Sequence, residues 1–296
     1  MVPTVTAVIT THRRPLQFRE ALASLRSEDY RDVECIIVDD TSASSARLHI
    51  RATREHPDAR VLRGHSLGVG RARNVALAAA KGEFVIFLDD DDVSLPARIA
   101  TLVAAARQFD ADLCFGMTRR VATDGAVSLP AVPTDVLRFG AVGFCDLLTC
   151  APHINAVLAR TAMLREVGGF DADADHFDDW SAWLRMADRG ARIGCVDEVV
   201  AEWRLHPTGL SGMVNQAGAM KARLMELFDR LTVALSEESV EAVVIARQTV
   251  ATRNIVTYDD YAQAMSDVRA SLHASGSCLG RRQSSHDERQ SLVRRG

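Results

Sequence analysis

Apolar and polar positions alternate along the first part of the chain in a way that predicts strands separated by helices. The segment 4–11 is rich in β-branched residues and predicts a buried strand, which stops at a polar turn before Pro15. After Pro15, apolar residues recur at helical spacing and predict a helix with one apolar face. The residues of this face are Phe18, Ala21, Leu22 and Leu25. The apolar runs 33–38 and 61–62 predict two more strands, with a polar helix around 43–55 between them.

The same alternation continues along the chain. Gly68 and Gly70 open a predicted helix, and the apolar run 84–88 predicts a buried strand that leads directly into four aspartates. A helix is predicted over 96–109 and a strand over 113–118. Strands that alternate with helices indicate a mainly parallel sheet covered on both faces, so the fold class is α/β.

The pattern changes in the second half of the chain. Periodicity is weak over 119–150, and regular structure is expected to resume at 154–158. A turn is predicted at 168–171 and a helix near 178–188. A pair of short strands, 192–195 and 198–204, is expected to close the domain. The segments that follow predict three helices, which are 213–234, 237–252 and 258–272. We therefore expect a domain over 1–211, a helical region over 212–274 and a disordered tail over 275–296.

Composition narrows the class of protein without giving its function. The chain has 296 residues, of which 47% are hydrophobic and 25% are charged, as in an ordinary globular protein. A net charge of −4 gives no electrostatic reason to bind nucleic acid. The long apolar stretch 141–159 contains Asp146, His153 and Asn155, which are costly in a bilayer, so no transmembrane helix is predicted.

The six cysteines lie far apart and form no CxxC pair. We expect them to be buried free thiols, because a zinc site or a disulfide framework needs ligands or partners at characteristic spacings. Together with the absence of a signal peptide before Val5, this indicates a cytoplasmic protein. Peripheral attachment to a membrane is compatible with all of these observations.

Polar side chains follow three of the predicted strands. Thr11 and His12 follow the first strand, Asp39 and Asp40 the second, and residues 89–92 the fourth. The carboxyl ends of parallel strands line one crevice, so these groups should converge. Four adjacent carboxylates repel one another unless donors or a cation offset their charge, and Mg²⁺ or Mn²⁺ would do so while leaving positions for phosphate oxygens. Helix capping by single aspartates and a solvated acidic turn are the alternatives.

Five short motifs stand along the chain in a fixed order. They are residues 8–15 (VITTHRRP), 36–42 (IIVDDTS), 68–74 (GVGRARN), 81–84 (KGEF) and 87–91 (FLDDD). In sequence and order they resemble the family 2 glycosyltransferases of GT-A fold. The later segments 168–171 (GGFD) and 178–185 (DDWSAWLR) look like the acceptor-side segment of that family, so the resemblance spans about residues 4–210.

The resemblance implies a Rossmann-like GT-A domain that transfers a sugar, with inversion, from a nucleotide-diphosphate sugar to a hydroxyl acceptor. The acceptor would be a glycan, a lipid-linked molecule or a small molecule, and the stretch 119–150 would hold acceptor-side loops. Asp40 would hydrogen-bond the nucleobase, Thr11 and His12 would line the base pocket, and Arg73 would lie beside the nucleotide.

The family's DXD element would be Asp89 to Asp91. By resemblance, Asp89 and Asp90 would contact the donor, and Asp91, with Asp89, would bind a Mn²⁺ or Mg²⁺ ion on the diphosphate. His206 stands where some relatives place a further metal or phosphate contact. Asp179 would be the catalytic base that takes the acceptor's proton, while the metal neutralises charge on the departing diphosphate.

The sequence departs from the family pattern in the first motif and at the acid pair. Thr10 replaces the usual proline, His12 and Arg13 replace a Tyr-Asn pair, and Asp178 stands where Glu is commoner. These changes leave every reacting carboxylate in place. They do affect the segment that would face the nucleobase.

Other functions fit parts of the sequence. Residues 89–93 also fit the DxDx[TV] element of aspartate-nucleophile phosphohydrolases, but that class expects a later lysine and none lies between Val93 and Asp178. A non-catalytic sugar-nucleotide or glycan-binding module is a second alternative, although the chain retains all the reacting carboxylates. A nucleotidyltransferase would need a Gly-rich loop after the first strand. His153 and the pair Trp180 and Trp183 are explained equally by core packing and by an acceptor platform.

Overall fold

A computed structural model describes residues 4–41, 58–122, 125–128, 140–174, 176–205, 219–255 and 258–277. The predicted helix around 43–55, His206 and the tail beyond Ser277 lie outside these residues. Within the described part of the chain, every helix is too short or too polar to span a bilayer.

The described strands form a single mixed sheet. They are β1 Val5–Thr11, β2 Val33–Asp39, β3 Ala59–Arg63, β4 Phe84–Asp89, β5 Val93–Ser94, β6 Leu113–Val121, β7 Val127–Ser128, β8 Gly140–Val142, β9 Val157–Arg160 and β10 Ile193–Arg204. Their order is β3-β2-β1-β4-β9-β6-β10-β5, with β7 beside β6 and β8 beside β10. Pairing is parallel among β3, β2, β1 and β4 and between β6 and β10, whereas β9 runs antiparallel to both β4 and β6. The predicted α/β class is confirmed, and β9 joins its two parallel blocks.

Helices cover both faces of this sheet. They are α1 Pro15–Arg26, α2 Val69–Ala79, α3 Arg98–Gln108, α4 Phe144–Cys150, α5 Thr161–Glu166, α6 Asp178–Asp188, α7 Ala219–Ala234, α8 Glu237–Ala251 and α9 Tyr258–Ser275, with a 3-10 turn at Ile154–Ala156. Successive side chains of a strand point to opposite faces of the sheet, so each central strand contributes side chains to two hydrophobic cores. One core contains Val8, Ile36 and Val85 with α2 and α6, and the other contains Ile9, Ile37 and Ile86 with α1 and α3.

The parallel register aligns the polar ends of the central strands. Thr11 lies opposite Asp39 of β2, and Thr10 lies opposite Asp89 of β4. The backbone pairing therefore brings the polar residues at the ends of β1, β2 and β4 to one edge of the sheet, as predicted. Side chains that follow these ends face a common space.

The C-terminal helices α7 to α9 bury their apolar faces in the core that also contains α6. Phe228 of α7 packs against Trp180 of α6, with ring centroids 6.5 Å apart. Val243 of α8 and Val268 of α9 are fully buried in the same cluster. These three helices thus complete one core of the sheet, and the division of the chain at residue 211 stays a prediction.

Two segments differ from the sequence predictions. Residues 144–150, expected to be loop, form α4, whose Phe144, Leu147 and Leu148 are buried. Seven residues are too short for helical periodicity to be recognised. The expected strand pair over 192–204 is one strand, β10, with register irregularities between Cys195 and Ala201. An irregular strand interrupts the apolar pattern much as a turn does.

The cysteines also depart in part from expectation. Cys35, Cys114, Cys150 and Cys195 are free thiols, as predicted. Cys145 is disulfide-bonded, so the expectation of free thiols is wrong for that residue.

Candidate active site

A cavity of about 680 Å³ opens at the carboxyl ends of β1, β2 and β4. This volume lies within the range of roughly 300–1,000 Å³ that is usual for small-ligand sites. The cavity brings together seven of the residues singled out from sequence, which are Thr11, His12, Asp40, Arg73, Asp89, Asp90 and Asp91. Asp179 is not among the described residues that line it.

Asp40 orders one wall of the cavity. Its carboxylate accepts hydrogen bonds from the backbone N–H groups of Leu67, at 2.7 Å, and Gly68, at 2.9 Å. A Cβ atom at Gly64 would lie 2.3 Å from Asp40 Oδ1, so any other residue there would displace the Asp40 carboxylate. Each carboxylate oxygen has two acceptor positions, which leaves room for a further donor such as a nucleobase N–H. His12 lies next to this group, with ring Nδ1 2.9 Å from the backbone oxygen of Asp40.

Asp90 connects the turn after β4 to the end of β1 through hydrogen bonds. Its carboxylate accepts hydrogen bonds from Thr11 Oγ1 at 2.7 Å, from the His12 N–H at 3.0 Å and from Arg14 Nη1 at 2.9 Å. Burial nevertheless raises the pKa of Asp90 to about 6, against the opposing effect of Arg14. Arg14 Nη1 also lies 2.8 Å from Asp91 Oδ2, so one guanidinium spans two of the four aspartates.

Arg73 connects this acidic turn to the acid pair at the start of α6. Its guanidinium is 4% exposed and donates to Asp89 Oδ1 at 2.7 Å and to both oxygens of Asp178, at 3.0 and 2.8 Å. Burial raises the pKa of Asp178 to about 6, and Arg73 opposes this rise. Burial also disfavours ionised Asp89, but Arg73, His153 and Arg14 together outweigh it and lower the pKa of that carboxyl.

Asp179 occupies the first turn of α6, where its carboxylate accepts from the Trp180 N–H at 2.8 Å. The preceding residue, Phe177, has a left-handed backbone with φ of 60°, a strained conformation that often occurs at functional sites. Burial raises the pKa of Asp179, and the charges of Arg73 and Asp89 act on it from the cavity side. Asp179 is therefore electrostatically coupled to the cavity although it does not line it.

Asn155 and His153 contribute to the site in a way that the sequence did not reveal. The Asn155 side chain is fully buried, accepts from the Asp89 N–H at 2.8 Å and donates to Asp92 Oδ2 at 2.5 Å. His153 lines the cavity, and its ring lies against Trp203 with centroids 5.0 Å apart. Burial lowers the pKa of His153, against the opposing effect of Asp89. One ring nitrogen of His153 and one oxygen each of Asp89 and Asp92 lie within 4.8 Å of one another.

A buried ion pair between Arg98 and Glu28 lies next to the end of β4, where the acidic turn begins. Arg98 Nε lies 3.0 Å from Glu28 Oε1, and both side chains are at most 1% exposed. Arg98 Nη1 also donates to the backbone oxygens of Phe87, at 3.0 Å, and Asn155, at 2.9 Å. This arginine therefore fixes the end of β4 relative to the segment that carries His153 and Asn155.

Four residues that shape the site have no role among the sequence-based predictions; they are Arg14, Asn155, Trp203 and Arg204. Arg14 belongs to the first motif, and its position three residues after Thr11 is a signal for a role in the site. The contacts of Asn155 and Arg204 with Asp92 join residues 63 and 112 positions apart. A pattern of neighbouring residues in the sequence cannot predict contacts over such separations.

Residues 6–132 match the family described as glycosyl transferase family 2. This segment, which includes β1 to β6, is therefore similar to the family 2 glycosyltransferases. Its match to a curated relative, the GalNAc(5)-diNAcBac-PP-undecaprenol beta-1,3-glucosyltransferase of Campylobacter jejuni, is 29% identical over 111 residues. That match covers 36% of this chain and 36% of the relative, so the chain spans only about a third of that relative's length.

Solved structures share the fold of this chain. S. aureus TarS 1–349 in complex with UDP-GlcNAc superimposes with a TM-score of 0.65 at 18% identity, covering 91% of this chain and 81% of that one. The mannosyltransferase PcManGT of Pyrobaculum calidifontis, in complex with GDP-Man and Mn²⁺, gives a TM-score of 0.63 at 19% identity, covering 96% and 82%. The mixed sheet with flanking helices is thus a GT-A fold, as predicted.

Proposed function

We propose that the protein transfers a sugar from a nucleotide-diphosphate sugar to a hydroxyl acceptor, with inversion and with Asp179 as the base. The observation that carries this proposal is the charge arrangement of the cavity. Groups from β1, β2, α2 and the turn after β4 surround one space of nucleotide size, and Arg73 links that space to the acid pair of α6. The match to glycosyl transferase family 2 covers β1, β2, α2 and the turn after β4, and ends before α6.

Within the proposal, Asp40 and His12 bind the nucleobase and Arg14 and Arg73 lie beside the diphosphate. Asp40 retains acceptor positions beyond its two backbone partners. Both arginines already sit against aspartates that line the cavity, so their guanidinium groups are held in place before a ligand arrives. Bidentate guanidinium groups suit phosphate oxygens well.

The donor set of the acidic turn fits a divalent cation. Mn²⁺ and Mg²⁺ accept carboxylate oxygens, and Asp89 to Asp92 present four carboxylates at one end of the cavity. PcManGT, a structural neighbour, has been solved with GDP-Man and Mn²⁺. When bound, such a cation would neutralise charge on the departing nucleoside diphosphate.

In this proposal, the carboxylate of Asp179 accepts the proton of the acceptor hydroxyl. Burial raises the pKa of Asp179, which strengthens its carboxylate as a base. Direct attack by an acceptor hydroxyl with a single base implies inversion at the anomeric carbon. The acceptor is a glycan, a lipid-linked molecule or a small molecule. The named relative from Campylobacter jejuni acts on an undecaprenol-linked glycan, which favours a lipid-linked acceptor and peripheral contact with a membrane.

The direct test is turnover of a panel of nucleotide-diphosphate sugars by the purified chain with Mn²⁺ and a mixture of acceptors. We expect release of nucleoside diphosphate together with a glycosylated acceptor of inverted anomeric configuration, read by NMR. Release of inorganic phosphate from a sugar phosphate without any acceptor would instead favour the phosphohydrolase alternative. Binding of a donor without turnover under all acceptors would favour a non-catalytic module.

A further inference from the structure

We infer that His153 and Trp203 form the subsite for the sugar of the donor, in which Trp203 packs against the sugar ring and His153 donates a hydrogen bond to one sugar hydroxyl. The inference rests on the proposed function and deepens it, because it names residues that select the donor sugar. Both residues line the cavity.

The order of the strands gives the cavity a direction. Asp40 follows β2, the acidic turn 89–92 follows β4, and His153 directly precedes the 3-10 turn that leads into β9. These strands lie in the order β2-β1-β4-β9, and β9 is antiparallel to β4, so all these residues lie at the same edge of the sheet. Trp203 lies at the end of β10, two strands beyond β9. The lining residues therefore follow one another along this edge.

A nucleotide-diphosphate sugar has its parts in the same linear order, which is base, ribose, diphosphate and sugar. In the proposed function the base lies at Asp40 and the diphosphate lies at the acidic turn. The sugar then extends beyond the turn, on the side away from Asp40. His153 occupies this position, since one of its ring nitrogens lies within 4.8 Å of one oxygen of Asp89 and one of Asp92.

His153 has an N–H group available for a ligand. Its side chain caps the 3-10 turn, where Nδ1 accepts from the backbone N–H of Asn155 at 3.4 Å. A nitrogen that accepts carries no proton, so the neutral ring carries its proton on Nε2. In the part of the chain that the structure describes, no hydrogen bond involves Nε2. A sugar hydroxyl in the cavity can therefore accept from it.

Trp203 supplies an aromatic surface next to this donor. Its ring lies against that of His153, with centroids 5.0 Å apart and an angle of 31° between the ring planes. The side chain of Trp203 is only partly buried. Aromatic rings bury the apolar C–H groups of a ligand while a few placed polar groups orient it, and this combination is usual in small-ligand sites.

Such a subsite predicts discrimination between sugar epimers. Two epimers differ in the direction of a single hydroxyl, so only one of them places that hydroxyl where Nε2 of His153 can donate to it. In the other epimer, both the hydroxyl and the N–H lose their partner inside the cavity. The nucleoside diphosphate alone does not reach the subsite, so its affinity should be independent of His153 and Trp203.

The experiment measures binding to the full chain by calorimetric titration in the presence of Mn²⁺. The ligands are UDP with UDP-glucose, UDP-galactose, UDP-GlcNAc and UDP-GalNAc, and GDP with GDP-mannose and GDP-glucose. Wild-type protein should prefer one sugar over its epimer. His153→Leu should reduce this preference about 3–10-fold, because it removes one hydrogen bond, whereas His153→Gln retains an N–H donor and should keep more of it.

Variants of the tryptophan separate the aromatic contact from the hydrogen bond. Trp203→Leu should weaken binding of the preferred donor about 3–10-fold, and Trp203→Phe, which keeps a ring, should weaken it less. None of these variants should change the affinity for UDP or GDP more than about twofold. His273→Leu, at an exposed position of α9, is the matched control. Unchanged circular dichroism checks that each variant folds.

Three results would overturn the inference. The first is an equal loss of affinity for UDP and for the UDP-sugars in His153→Leu, which would place His153 at the diphosphate. The second is an unchanged epimer preference in both His153→Leu and Trp203→Leu, and the third is equal binding of both epimers of every pair by wild-type protein. Each leaves the proposed function intact if wild-type protein still turns over a donor. Wild-type protein that binds no nucleotide and no donor would contradict both.

Discussion

The turn at residues 89–92 and the acid pair at the start of α6 both bury carboxylates, but they compensate the charge differently. The turn draws donors from several distant segments, including Thr11, Arg14 and Asn155. The pair relies on the single guanidinium of Arg73 and on the backbone. The additional donors of the turn do not abolish the effect of burial, which raises the pKa of Asp90 and that of Asp178 alike to about 6. The two regions therefore differ in how firmly their carboxylates are positioned, and the proposed function assigns the diphosphate with its cation to the turn and proton transfer to the pair.

The largest effect should come from removing the carboxylate of Asp179. Asp179→Asn should lower kcat about 10²–10⁴-fold, because general base catalysis contributes about that much. Binding of the nucleoside diphosphate should stay unchanged, since Asp179 does not line the cavity among the described residues. Steady-state kinetics and calorimetric titration measure the two quantities. Asp110→Asn, at a 65% exposed carboxylate, is the control, and a kcat of Asp179→Asn within about threefold of wild type would refute the role of Asp179.

The link between the two regions can be broken at Arg73. Arg73→Gln leaves Asp89 and Asp178 without their shared partner, and loss of one member of a buried ion pair typically lowers the free energy of unfolding by about 3–5 kcal/mol. Arg71→Gln, two residues earlier, removes only a pair with the exposed Asp173 and should cost less than about 1 kcal/mol. Urea denaturation of both variants measures the difference. Equal losses would show that Arg73 does not join the two acid sites.

A smaller effect should appear in the pH dependence of stability. The pKa of Asp90 is raised to about 6 in the folded chain from an ordinary value of 3.8, so its stabilising contribution is present below about pH 4 and is lost as the pH rises through 6. Without metal, wild-type protein should therefore lose about 1–3 kcal/mol more stability than Asp90→Asn between pH 4 and pH 7. Thermal unfolding in the presence of a chelator gives both curves. Parallel curves for the two proteins would contradict the assigned burial of Asp90.

Sequence patterns predict these two regions unequally. The helix of the acid pair was expected near 178–188 and is found at Asp178–Asp188, because its apolar stripe extends over three turns. The aspartates of the turn were found through a motif, and their convergence with Thr11 follows from parallel strands. The sequence does not predict the contacts of Arg14 with Asp91 and of Asn155 with Asp92. Those contacts depend on how β9 and its preceding turn fold against β4, a pairing of residues more than sixty positions apart.

Short helices away from the site are also difficult to predict from sequence. The helix α4 has only seven residues and was expected to be loop, although Leu147 and Leu148 are fully buried. The backbone oxygen of Leu147 accepts from Trp180 Nε1 at 2.8 Å, so α4 supports the helix of the acid pair. Its place in the structure is decided by tertiary packing rather than by local periodicity.

Under the proposed function, one cavity binds a nucleoside diphosphate together with a divalent cation. Thermal unfolding of the full chain with UDP, dTDP, GDP, CDP and ADP, each with and without Mn²⁺, tests it most directly. We expect at least one nucleotide to stabilise the protein only when Mn²⁺ is present, by about 2.7 kcal/mol at a hundredfold excess over its dissociation constant. If no nucleotide gives a Mn²⁺-dependent shift, or if inorganic phosphate with Mn²⁺ gives the same shift as every nucleotide, the cavity is not a donor site.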